Sequence, residues 1–218
     1  ANLINNALVE KRGPRLKHLV MIGEPTEGFL DDAAFIKLGD SIDTDKVDTH
    51  RIGVSIRQPA IMMYTSGTTA NPKGCPLNHE VLVRNGMNMN RSRYFLDSTD
   101  RFWAPLPMFH MAAILPMICC MHAGAAMLSM THVEPGLSLK MMEENKVTVA
   151  FPSFPTIMQD LLNHPNFKTT DLSNLKRLNN VAPPDLLRQF QNALPHAIQT
   201  GAYGLTEAGG GIAFNHPD

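Results

Sequence analysis

The sequence predicts an α/β protein: a mainly parallel β-sheet covered by helices on both faces. Two observations carry this. From about residue 60 onward, short apolar runs alternate with longer segments of helical character. The breaks between them hold glycine, proline and asparagine, so each run ends cleanly. Alternating strands and helices favour a parallel sheet with both faces buried.

Residues 1–16 are polar and read as a helix tail with a loop. Lys17-His18-Leu19-Val20-Met21-Ile22-Gly23 reads as a short buried strand ended by glycine. Residues 24–58 are acidic and turn-rich, with one short helix near Asp32–Leu38 and a long connection. Ala60-Ile61-Met62-Met63 reads as a buried strand, and a helix follows from about Asn78 to Phe95. Strand then helix recurs downstream. Arg101-Phe102-Trp103-Ala104-Pro105-Leu106-Pro107 reads as a strand leaving into a loop. Met111 to Ala123 is an apolar helix closed by Gly124. Ala125–Met130 is a strand, Leu137–Asn145 a helix and Val147–Ala150 a strand. A helix covers Ser153–Leu162, with Ser153 or Pro155 near its start. Leu175–Val181 is a strand, Pro183–Leu194 a helix opened by two prolines, and His196–Thr200 a strand before a Gly-rich segment. Two parts are expected: a leading segment over 1–58 and a core over 59–218.

The bulk composition excludes several classes. A hydrophobic content of 44% in 218 residues supports a sizeable core, and a net charge of −1 gives no basic surface for nucleic acid. Three cysteines, Cys75, Cys119 and Cys120, make neither a disulfide framework nor a zinc motif, so reduced thiols in a cytoplasmic protein are expected. The N-terminus lacks a signal-peptide pattern. The apolar stretch from Met111 to Met130 is broken by Pro116, His122 and Gly124, so no transmembrane segment is expected.

The chemistry concentrates in Tyr64-Thr65-Ser66-Gly67-Thr68-Thr69-Ala70-Asn71-Pro72-Lys73-Gly74. Glycines expose backbone N–H groups, hydroxyls add short donors, and Lys73 adds a charge for a phosphate oxygen. That composition suits a polyphosphate cradle better than a plain Ser/Thr/Gly surface turn. It is not the P-loop, because the order here is Lys73-Gly74-Cys75. A second stretch, Tyr203-Gly204-Leu205-Thr206-Glu207, follows a predicted strand. Tyrosine offers a flat face, threonine a phosphate donor and glutamate a hard oxygen for Mg²⁺. Alone it is a weak signal, since a Gly-rich loop with one glutamate is more often only a loop.

Together the two stretches resemble the signatures of the adenylate-forming superfamily, which contains acyl-CoA synthetases, beetle luciferases and peptide-synthetase adenylation domains. The family pattern Tyr-Thr-Ser-Gly-Thr-Thr-Gly-x-Pro-Lys-Gly is met except at Ala70, and Tyr-Gly-x-Thr-Glu follows in the family's order. Asn179-Asn180-Val181-Ala182-Pro183-Pro184 stands where the family has Gly-Gly-Ala-Pro. Asparagine tolerates the left-handed backbone region that the lost glycines allowed. An ordinary strand-to-helix turn is the alternative there. Pro105-Leu106-Pro107-Met108-Phe109-His110 resembles Pro-Leu-Phe-His.

The resemblance implies part of the large N-terminal domain of an adenylate-forming enzyme. It implies ATP-dependent activation of a carboxylic acid to an acyl-adenylate, then transfer to coenzyme A. Catalytic roles fall on Thr206, Glu207, Lys73 and His110, with Glu207 on Mg²⁺. Cofactor contacts fall on Thr65, Ser66, Gly67, Thr68, Thr69 and Lys73, on Val181, Ala182 and Pro183, and on Gly201, Ala202, Tyr203, Gly204 and Thr206. A structural or surface role stays open for His110. No acid lies in Phe109–Ile114 to hold an amino-acid ammonium, which favours a simple acid with an apolar, fatty tail. Phe151, Phe154 and the Met-rich helix either line its pocket or pack the core. The ribose-binding Thr-Gly-Asp segment, the hinge and the C-terminal domain with its catalytic lysine are not found in residues 1–218. The expectation is therefore a fragment of weak activity that self-associates through exposed edges. A luciferase-like or carrier-protein-ligating member, or a binding module without catalysis, remains an alternative.

Overall fold

The computed structural model describes residues 18–65 and 71–215. The residues fall into two compact units, one up to Val54 and one from Ser55.

In the first unit Val20 makes only a single parallel bridge with Leu30. The strand expected over residues 17–23 is absent among the described residues, and Ile22 is 85% exposed. One expected helix forms, α1 (Asp32–Lys37), capped by the Asp31 carboxylate on the Ala34 N–H. A second, α2 (Thr44–Ile52), forms where a long connection was expected. Asp43 caps it, and basic residues close its last turn, both favourable to the helix dipole. Neither helix carries a fully buried residue, so α2 leaves no apolar stripe to read in the sequence.

The second unit opens with an antiparallel hairpin, β1 (Pro59–Thr65) and β2 (Lys73–Asn78), with Thr65 opposite Lys73. This corrects the expectation of one buried strand feeding the main sheet. The hairpin is a separate two-stranded sheet, and its first strand is only half buried, with Met62 and Tyr64 outward. The hydroxyl-rich loop therefore joins two strands rather than a strand and a helix. Residues 66–70 lie outside the described residues. Asn78 caps α3 (His79–Met89), which runs into a π-turn over Asn90–Tyr94 and stops at Phe95 with φ +49°.

The main sheet has six strands: β3 (Arg101–Trp103), β4 (Ala126–Leu128), β5 (Val149–Ser153), β6 (Arg177–Asn180), β7 (Ile198–Leu205) and β8 (Gly210–Phe214). Their order is β4-β3-β5-β6-β7-β8, parallel throughout except for the antiparallel β7–β8 pair. The helices between them are α4 (Met111–Ala123), α5 (Pro135–Glu144), α6 (Pro155–Asn163) and α7 (Pro184–Ala193). Gly124 closes α4 at φ +70°, a conformation glycine adopts without strain.

Strand alternation divides the core in two. Phe102, Val149 and Phe151 face one layer with Leu82 and Met89 of α3 and with the apolar side of α4. Trp103, Ala150 and Leu178 face the other with Leu139 of α5, Met158 of α6 and Phe190 of α7. Both faces are thus covered, as a parallel sheet requires. β8 was missed because Gly209-Gly210-Gly211 reads as a loop. Its pairing depends on Gly204. A Cβ there would overlap the Gly210 carbonyl oxygen, so only glycine lets β7 and β8 approach this closely.

Candidate functional site

A cleft of about 200 Å³ opens at the carboxyl ends of β5, β6 and β7. Open parallel sheets present ligands at this edge. Helix α4 forms one wall through Met111, Ala112 and Leu115, and the sheet forms the floor through Phe151, Val181 and Ala202. Tyr203, Gly204 and Thr206 form the rim on the β8 side, with Gly210, Gly211 and Phe214 behind them. The wall and floor are apolar, and hydroxyls and one imidazole stand at the edge.

The expected site residues divide into three groups. His110, Val181, Ala202, Tyr203, Gly204 and Thr206 line the cleft together, although they come from three separate stretches of chain. Thr65, Lys73, Ala182, Pro183, Gly201 and Glu207 are described but do not line it. Lys73 and Glu207 are exposed, and the strand carrying Lys73 runs beside the short 3₁₀ turn Thr206–Ala208 that carries Glu207. Gly201 is held inside β7, its N–H donating to the Asn215 side chain. Ser66, Gly67, Thr68 and Thr69 lie outside the described residues.

His110 has a defined local job. It is the N-cap of α4, and its Nδ1 accepts the Ala112 N–H at 3.1 Å. The ring proton therefore sits on Nε2. The Phe154 ring stands edge-on to it, 6.2 Å between centroids. Tyr203 is 65% exposed, which leaves its flat face free for a base. Glu207 is a single exposed carboxylate. Mg²⁺ takes one or two carboxylates and fills its remaining positions with phosphate oxygens and water, so this donor fits. Among the described residues no three His, Cys, Asp or Glu side chains gather into a metal cage.

The expectation for Asn179 and Asn180 needs correction. Neither has a positive φ; both are buried strand residues of β6. The left-handed residue is Ser153, at the end of β5, with φ +62°. The Phe154 N–H reaches the Pro152 carbonyl at 2.7 Å, closing a three-residue γ-turn around it. The Ser153 carbonyl accepts the Val181 N–H at 2.9 Å, fixing the strand end beside the cleft. The sequence offered Ser153 or Pro155 as the helix start; α6 begins at Pro155, and Ser153 ends β5.

Asn85 of α3 was also missed. Its Nδ2 lies 3.4, 2.9 and 3.3 Å from the carbonyls of Ala208, Gly209 and Gly211. The helix that follows the β1–β2 hairpin thus holds the segment just after Thr206-Glu207. Only the helical spacing of Asn85, one turn beyond Val81, hinted at this. Tyr94, buried against Phe102, also lines the cleft, and burial pushes its phenol well above the ordinary range. It stays protonated and able to donate.

The fold, a mostly parallel sheet covered by helices, is that of the N-terminal domains of adenylate-forming enzymes. The model of the AMP-binding enzyme family matches residues 8–218, and the chain belongs to that family. A feruloyl-CoA synthase from Amycolatopsis sp is 33% identical over 164 residues, 73% of this chain and 32% of that protein. The mouse mitochondrial medium-chain acyl-CoA ligase ACSF2 is 27% identical over 222 residues, 97% of this chain and 36% of that protein. The chain spans about a third of the length of such curated relatives. The N-terminal domain of FACL13 from Mycobacterium tuberculosis has the same fold, with a TM-score of 0.70 at 21% identity over 97% of this chain and 52% of that one. ATP-bound MatB from Rhodopseudomonas palustris gives 0.66 at 25% identity over 76% of this chain and 32% of that one. No helix among the described residues is long and apolar enough to cross a membrane.

Proposed function

We propose that this chain forms the ATP- and acid-binding surface of an AMP-forming acid–CoA ligase acting in the cytoplasm. The carrying observation is the cleft. It sets His110 and Thr206 at the mouth of an apolar pocket, beside an exposed Tyr203 face. The relatives are named as acid–CoA ligases, of an aryl acid in one case and a medium-chain acid in another.

ATP supplies the electrophilic phosphorus and Mg²⁺ offsets the charge of the leaving pyrophosphate. Tyr203 stacks on the base, with Val181-Ala182-Pro183 and the backbone from Gly201 to Gly204 completing that side. Thr206 donates to an α-phosphate oxygen, and Glu207 holds the metal. Lys73 and the hydroxyls from Thr65 to Thr69 bind the outer phosphates. His110 donates from Nε2 to the substrate carboxylate. The reaction brings two anions together, so positioning and charge neutralisation do more than acid–base help. The apolar wall of Met111, Leu115 and Phe151 receives the body of the acid, and coenzyme A accepts the acyl group.

The test is ATP–pyrophosphate exchange driven by an aliphatic or aryl acid. Acid-dependent exchange, lost in Lys73→Ala and in Thr206→Ala, is the expected result. ATP binding without exchange for any acid would leave a binding module only and overturn the ligase reading for this chain.

A further inference from the structure

Next to Tyr94 of the cleft lining, the sheet turns polar. Asn179 of β6 stands opposite Thr200 of β7, two residues before Val181 and Ala202, which line the cleft. Residues two apart on a strand share a face, so Asn179 and Thr200 lie on the cleft side, one step further in. Tyr94 completes the set, with its hydroxyl 2.7 Å from Asn179 Nδ2. All three are nearly wholly buried, at 2% exposure or less.

Their hydrogen bonding is incomplete. Asn179 Oδ1 and Thr200 Oγ1 have no partner. The Tyr94 hydroxyl accepts from Asn179 and still has its own proton to give. Turning the Asn179 amide over exchanges the orphaned oxygen for an orphaned nitrogen and satisfies nothing more. A buried polar group left unpaired costs stability that nothing in the chain offsets. Two such atoms at paired positions of β6 and β7, in a layer otherwise filled by Phe102, Val149 and Phe151, mark a place for a missing partner.

We propose that Tyr94, Asn179 and Thr200 form a subsite for a hydrogen-bonding group at the far end of the substrate acid. This rests on the acid-activating reading and narrows it: carboxylate at the mouth, apolar body along α4 and the floor, and a hydroxyl, phenol or carbonyl at the tip. A hydroxyl tip donates to Asn179 Oδ1 and accepts from Tyr94 or Thr200. A methyl tip leaves Asn179 Oδ1 and Thr200 Oγ1 unpaired. Sites built to bind a hydroxyl reject analogues that lack it far more strongly than apolar pockets reject an extra methylene.

Acylsulfamoyl adenosines, stable mimics of acyl adenylates, test this by calorimetry on the whole chain. The set is hexanoyl, octanoyl and decanoyl analogues, each paired with its terminally hydroxylated counterpart. At the best-fitting length the hydroxylated member should bind about tenfold tighter or better. Tyr94→Phe and Thr200→Val, which remove one hydroxyl each at nearly constant shape, should shrink or invert that ratio. Equal binding of methyl- and hydroxyl-ended analogues at every length overturns the subsite and leaves acid activation standing. A preference that survives both substitutions overturns its assignment to these residues. Failure of every analogue to bind overturns acid activation, and the subsite with it.

Discussion

Ser153 holds a left-handed backbone that a non-glycine residue enters only at a cost, commonly about 1–3 kcal/mol. The γ-turn and the bond to Val181 keep it there. Ser153→Val should therefore lower stability by about 1–3 kcal/mol, since a β-branched side chain suits positive φ worst. Ser153→Gly should stay within about 1 kcal/mol of the parent, because relieved strain offsets added chain entropy. Urea melts of the two variants check this, and equal losses would contradict a backbone origin. His110 carries two jobs that substitution can separate. His110→Asn keeps a helix-capping side chain, whereas His110→Ala removes it at about 1 kcal/mol. Acid-dependent exchange should fall in both, but stability only in the alanine variant. Exchange that tracks stability alone would reduce His110 to a cap.

At the scale of elements, α3 connects two parts of the site that are far apart in sequence. The strand β2 leaves Lys73 and enters α3, and Asn85 then holds the carbonyls that follow Thr206-Glu207. Replacing these donors with acceptors should be worse than deleting them. Asn85→Asp is expected to cut exchange more deeply than Asn85→Ala, with a larger rise in the KM for ATP than in that for the acid. Steady-state exchange kinetics measure the split, and equal effects on both substrates would argue for a general loss of structure. Most elements of this layer were legible because their signals are local. Gly124 and the prolines at 155 and 184 mark helix ends. The misses have physical causes as well. β2 contains Pro76 and charged or small residues, so it shows no strand period. β8 begins with glycines whose pairing depends on a tight approach to Gly204, a tertiary fact. Asn85 and the Tyr94–Asn179 pair act across 85 positions or more, beyond any spacing rule.

Over the whole second unit the two ends of the sheet divide the labour. The carboxyl ends form the cleft, while the amino ends are stitched together by one buried acid. Asp100, 2% exposed, stands just before β3 and accepts the Asp97 N–H at 3.0 Å. It also accepts from Lys176, just before β6, at 3.0 Å, and Thr148, before β5, sits between them, bound to the Arg101 N–H. Burial alone would raise the Asp100 carboxyl. The Asp97 N–H, Lys176 and Thr148 outweigh it, and the net shift is downward. A carboxyl depressed in the folded state stabilises it above the ordinary carboxylate pKa of about 3.9 and loses that contribution as pH falls through the lower folded value. Lys176 is half exposed, so most of the effect comes from the buried hydrogen bonds rather than the ion pair. Asp100→Asn should thus cost about 1–3 kcal/mol at neutral pH, and its urea curve should converge on that of the parent as pH falls below the ordinary carboxylate range. A gap that stays constant across that range would show that Asp100 acts through packing, with its charge playing no part. Because the stitch lies at the edge opposite the cleft, Asp100→Asn should leave acid selectivity unchanged at neutral pH even as the sheet weakens.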